Sequence, residues 1–144
     1  MTIIRLSLLA LLLFGTVAWA ADDPYADPDW GYSFTDPHYL PSSAPAELEA
    51  FWHKMIPMLE ARGSVESAYL RENSKELLSY ARDVKGSLEN GSKYQRHFYN
   101  KAAADLVRSC KELHTLSYGA PSPALYSEMR KVEDAYVRLA NLCE

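Results

Sequence analysis

The sequence predicts an all-α protein: an antiparallel up-down-up-down four-helix bundle over residues 45–144, preceded by an extended leader rich in proline and aromatic residues. Three observations carry this expectation. Four segments repeat apolar residues at helical spacing, short glycine, asparagine and proline signals separate them, and five of the eight prolines fall within residues 21–45. Four amphipathic helices on short connections bury their apolar stripes most simply as antiparallel neighbours.

Residues 1–20 read as a cleavable signal peptide. Arg5 gives a positive start, Leu6 to Phe14 is apolar apart from Ser7, and Ala18-Trp19-Ala20 is a small-x-small site ahead of Asp22 and Asp23. The apolar run from Leu6 to Ala21 is 16 residues, shorter than the roughly 20 that span a bilayer. Cleavage is therefore expected rather than an uncleaved anchor, and no cysteine stands directly after the run, at the expected mature amino terminus, to take a lipid. The expected location is periplasmic or secreted, with no membrane attachment after cleavage. Cleavage after Ala20 leaves 124 residues, enough for one domain with a modest core. Losing Arg5 takes the formal net charge from −4 to −5. A mildly acidic chain has no basic face for a phosphate backbone, so nucleic acid is not an expected partner.

Residues 21–44 form the acidic leader. They hold Asp22, Asp23, Asp27, Asp29 and Asp36 and no Lys or Arg, whereas residues 45–144 hold 14 acidic and 14 basic side chains. Prolines at 24, 28, 37, 41 and 45 exclude a helix through it. Trp30, Tyr32 and Phe34 alternate with Gly31 and Ser33, which puts three aromatics on one face of an extended chain. The segment is expected to lie along a groove of the following domain or to contact a protein partner, and a disordered tether is the competing reading. Asp27, Asp29, Asp36 and His38 do not make a calcium loop, because the glycine at the sixth place and the glutamate at the twelfth are missing.

Helix one is expected over about residues 45–62, with Leu48, Phe51, Trp52, Met55, Ile56 and Leu59 on one stripe and a kink at Pro57. Helix two, about 65–86, carries Leu70, Asn73, Leu77, Tyr80, Ala81 and Val84. Asn90-Gly91 reverses the chain. Helix three, about 92–118, carries Tyr99, Ala102, Ala103, Leu106, Cys110, Leu113 and Ser117. Ser122-Pro123 supplies an N-cap and a first-turn proline for helix four, whose stripe is Leu125, Met129, Val132, Tyr136, Leu139 and Cys143.

With turns centred near 63, 90 and 120, residues equally far from a turn lie at one level. Cys110 and Cys143 then differ in height by roughly 20 Å at 1.5 Å per residue. A disulfide needs Cα atoms within about 7 Å, so no bridge is expected in spite of the compartment. Two metal sets follow from the same register. Cys110 and His114 are an i, i+4 pair level with Met58 and Met129, a thiolate, thioether and imidazole set suited to Cu(I). His53, Glu133 and Asp105 are a second set, suited to zinc. Ordinary core packing for Cys110 and the methionines, and a wet face for His53 and Glu133, are the bland alternatives. His97 has no partner that singles it out.

No G-x-S-x-G, H-E-x-x-H, C-x-x-C or glycine-rich phosphate loop is present, and the four histidines lie far apart. An enzyme is not expected. An exported four-helix bundle whose first helix carries Phe51, Trp52, Met55 and Met58, and whose fourth ends in Leu139-Ala-Asn-Leu-Cys143, resembles periplasmic bundles of the cytochrome b562 and cytochrome c-prime type. The resemblance spans about 45–144 and implies the scaffold and the compartment. It does not carry over covalent haem, because C-x-x-C-H is absent. Nor does it carry the b562 ligand pair, because Met55 is present but helix four has no histidine. The expected function is that of a non-enzymatic binding or accessory protein, with a copper or zinc ion as the candidate ligand. A structural or protein-protein interaction module is the alternative.

Overall fold

Helix boundaries in this chain are written largely in its caps. The computed structural model describes residues 36–61 and 67–144, with side chains described from residue 68 in the second stretch. Among them are four helices and no strand: α1 (Ala46–Glu60), α2 (Ser67–Val84), α3 (Lys93–Leu116) and α4 (Pro123–Leu142). The signal-peptide segment and the Trp30, Tyr32 and Phe34 triad lie outside the described residues, as do Asp27 and Asp29.

α3 opens on a reciprocal cap. Ser92 Oγ accepts the Gln95 amide at 3.1 Å, and the Gln95 side chain accepts the Ser92 amide at 2.9 Å. α4 opens on Ser122, whose hydroxyl accepts the Leu125 amide at 3.3 Å, with Pro123 in the first turn where its missing N–H costs nothing. α1 has no side-chain cap, but Glu47 and Glu49 place negative charge at its amino end. It continues through Pro57 and closes with the Ala61 amide on Pro57 O at 3.1 Å. α2 ends at Gly86, whose φ of 82° is left-handed and favours glycine. A β carbon at Gly86 would meet nothing within 4 Å. Conformation, not crowding, selects the glycine.

The α3 and α4 stripes are buried at every expected position, from Tyr99 to Ser117 and from Leu125 to Cys143. α2 is rotated from the expectation. Ser74 and Leu78 are buried where Asn73 and Tyr80 were expected, Asn73 turns its amide back to Tyr69 O at 2.8 Å, and Tyr80 is exposed. Polarity explains the rotation. A single hydroxyl can be satisfied inside a helix seam, whereas an amide brings four hydrogen-bonding needs and a tyrosine hydroxyl keeps water by staying out. In α1 the inner edge is Leu48, Phe51, Met55 and Met58, with Trp52, Ile56 and Leu59 half-buried beside it.

Each helix packs on the next in sequence, α1 on α2, α2 on α3 and α3 on α4. α1 also reaches α4 through the stacked rings of Phe51 and Tyr136, 6.4 Å apart. Residues 36–45 tie these two helices further. Trp52 Nε1 donates to Pro37 O at 3.1 Å, the Tyr136 hydroxyl donates to Tyr39 O at 2.6 Å, and the Tyr39 hydroxyl donates to Glu144 at 2.6 Å. Ser43 donates to Cys143 O, and Pro41 is buried beneath.

Cys110 and Cys143 are both buried free thiols.

Leu106 is 0 % exposed, so Leu106→Ala should cost about 2–5 kcal/mol of stability. Ser92→Ala, which removes only a cap, should cost about 1 kcal/mol. Urea unfolding followed by circular dichroism measures both, and equal losses would contradict this division between core and cap.

Candidate binding sites

Two places in the fold gather chemically distinctive side chains. The first is a small cavity inside the helices. Met55 and Met58 are three residues apart on α1 and so share a face, and Met129 enters from α4. These three, with Leu59, Leu77, Leu113 and Val132, line a cavity of about 10 Å³. That is about the space of one water molecule, and an apolar wall gives water nothing to bind.

The second is the seam between α2 and α3. Ser74, wholly buried, has its Oγ 3.0 Å from His114 Nδ1, 3.1 Å from Arg71 O and 3.4 Å from Ser117 Oγ. The Ser117 hydroxyl donates to His114 O at 2.5 Å. His114 meets Tyr118 edge-on at 5.2 Å, and the Arg71 guanidinium lies 5.0 Å over the Tyr118 ring. Small polar groups satisfy one another in the seam, and an exposed tyrosine stands over them between a cation and an imidazole.

The first expected metal set is therefore divided. Met58 and Met129 come together, Met55 joins them, and neither Cys110 nor His114 lines the cavity. His114 turns to the buried Ser74 hydroxyl, which would otherwise lose a partner. Cys110 is wholly buried, and burial pushes its thiol up to about 12. A metal would have to displace that proton, so burial adds a cost to ligation by Cys110.

The second expected set is not assembled. The His53 side chain is 64 % exposed, 3.6 Å from Glu49 and edge-on to Trp52. Asp105 accepts from Arg108 at 2.7 Å and lies 3.5 Å from Arg138, while Glu133 is half-buried on α4. Among the described residues no three His, Cys, Asp or Glu side chains form a group that could hold a metal ion. An exposed histidine and a carboxylate already engaged by two arginines gain little from converging. In the leader, His38 binds Asp36 through its amide at 2.9 Å and its ring at 3.0 Å, a local turn. His97 packs edge-on against Phe98.

Sequence reasoning missed the seam. Its signal was available, because Ser74 lies between Leu70 and Leu77 at core spacing, but a serine reads as polar until its partner is known. Among the described residues no helix is long and apolar enough to cross a membrane. No family model matches the chain, and neither a curated protein nor a solved structure matches it.

The thiols set an alkaline limit on stability. Burial pushes Cys110 and Cys143 up to about 12 from an ordinary 9.0, and it raises the Tyr99 and Tyr136 hydroxyls as well. Between the unfolded and folded values the unfolded chain binds fewer protons, so stability is whole below about 9 and falls as pH rises toward 12. Urea midpoints at about pH 8 and about pH 10.5 should fall less for a Cys110→Ala, Cys143→Ala variant than for the parent. Identical falls would show that the thiols are not responsible.

Proposed function

We propose that this chain is an exported, non-enzymatic accessory protein that works by binding another protein, built as an antiparallel up-down-up-down four-helix bundle. Export rests on Arg5, the short apolar run and Ala18-Trp19-Ala20. The antiparallel arrangement is supported by the order of cross-helix contacts. Gly86 with Asn100 and Ser87 with Tyr99 pair residues near the α2–α3 turn, while Ser74 with His114 pairs residues far from it on both helices. Phe51 with Tyr136, and Met58 with Met129 across the cavity, run in the same opposed sense between α1 and α4.

The observation that carries the binding reading is the kind of apolar surface on display. Among the described residues, every large hydrophobic side chain left exposed is a tyrosine: Tyr39, Tyr69, Tyr80, Tyr94, Tyr118 and Tyr126. Tyrosine offers a large contact area, few torsions to freeze and a hydroxyl that bonds in or out of water, which is why interfaces are enriched in it. Tyr118, 63 % exposed, is already oriented by Arg71 and His114. Part of its ordering cost is met before any partner arrives. Tyr69 lies in the first turn of α2, Tyr126 in the first turn of α4 and Tyr118 just past the end of α3, so the binding face is assigned to this end.

The test is purification from the natural compartment of the parent and a Tyr69→Ser, Tyr118→Ser, Tyr126→Ser variant with unchanged helicity. A partner recovered near one-to-one with the parent should fall about ten-fold or more with the variant. Equal recovery, or no stoichiometric partner with the parent, overturns the reading.

A further inference from the structure

We infer that the cavity lined by all four helices is a binding site for a soft monovalent cation, Cu(I) or Ag(I), held by the thioethers of Met55, Met58 and Met129. All three methionines among residues 36–144 line this one cavity. Two come from one face of α1 and the third from α4, so the donors converge from two sides.

The donor set selects the ion. Thioether sulfur is neutral, soft and polarisable, and favours Cu(I) over zinc, calcium or magnesium, which require imidazole, thiolate or oxygen. No such donor lines the cavity. A thioether has no proton to lose, so binding avoids the cost that Cys110, with its thiol pushed up to about 12, would impose. Charge also counts against a divalent ion. An apolar interior penalises an ionic charge heavily, and a singly charged, weakly hydrated ion is penalised least. Leu59, Leu77, Leu113 and Val132 complete the wall and bring no oxygen or nitrogen side-chain donor to it.

The cavity is ion-sized, and methionine can adjust to what enters it. Three rotatable bonds let each sulfur swing inward without moving the helix. Pro57 stands between Met55 and Met58 and donates no hydrogen bond to the previous turn, which leaves this part of α1 with one tie fewer to adjust against. The site is independent of the tyrosine surface and stands whether or not that surface binds a protein.

The experiment is anaerobic titration of the mature chain with Cu(I) against a chromophoric Cu(I) chelator, with Ag(I) as a redox-inert check. The parent should withdraw one equivalent. Met58→Leu and Met129→Leu nearly conserve volume and should keep the fold by circular dichroism, yet weaken binding by about ten-fold or more. Cys110→Ser and His114→Ala should leave it unchanged, and X-ray absorption of the copper-loaded parent should show sulfur neighbours alone. No withdrawal by the parent, or leucine variants that bind as well as the parent, would make the cavity a packing gap filled by flexible side chains. Loss of binding in Cys110→Ser would return the site to the thiolate and overturn the thioether assignment.

Discussion

Burial of one face of α3 is the constraint on which the rest of the structure depends. α3 packs against both α2 and α4, and its stripe from Tyr99 to Leu113 is almost entirely removed from water. Ala102 and Ala103 keep that face shallow near its beginning, which lets the neighbours approach, while Leu106 and Leu113 fill the space further along. α1 packs on α2 and meets α4 at fewer places than α3 does. The Phe51 and Tyr136 stack, the cavity and the ties from residues 36–45 all inherit their geometry from that packing.

Apolar contact alone would leave the helices free to slide. What sets their register is a few polar groups that cannot be buried alone. Tyr99 is wholly buried, and its hydroxyl lies 2.8 Å from Ser87 Oγ at one end of the α2–α3 seam. Ser74 and His114 do the same nearer the other end. A one-turn slip, about 5.4 Å, would break both pairs and leave the buried Tyr99 hydroxyl without Ser87, at a cost of about 1–3 kcal/mol for that group. The same device works at the carboxyl end, where Tyr136 and Ser43 join residues 36–45 to α4. The surface follows from the interior here: Tyr118 is oriented because His114 beneath it is already committed to Ser74.

How much of this was legible in the sequence depended on which coordinate a pattern reports. Periodicity reports which face of a helix is apolar, and every position it named on α3 and α4 is buried because the stripes are strong and uniform, although Phe98, Ser109, Ala135, Val137 and Ala140 beside them are buried too. On α2 it could not separate Ser74 from Asn73, since both are polar and only the partner across the seam decides which is tolerated. Turn counting reports height along the helices. It put Met58 level with Met129, and both line the cavity. It also put Cys110, His114, His53, Glu133 and Asp105 at useful heights, but height says nothing of rotation about the axis. His53 is level with the core and points into water. Met55 was placed on the α1 stripe and left out of the metal set, although its spacing from Met58 was the local signal that the two share a face.

The methionine cavity also bears on why α1 tolerates Pro57. A proline in a helix interior removes one hydrogen bond and crowds the turn before it, at a cost of about 3 kcal/mol or more. α1 nevertheless continues to Glu60 and buries Met58, which lies beyond the proline. Burial of the last turn therefore outweighs the break, and three of the side chains that meet there, Met55, Met58 and Met129, are flexible. Isoleucine at 55, 58 and 129 would demand one backbone path through the proline, because a β-branched side chain has few rotamers in a helix. Methionine accepts a range of paths and leaves a void small enough to cost little. The tolerance that lets the helix cross Pro57 is the same tolerance that lets three sulfurs turn toward a common centre. A bundle selected only for stability would be expected to fill this space with branched residues.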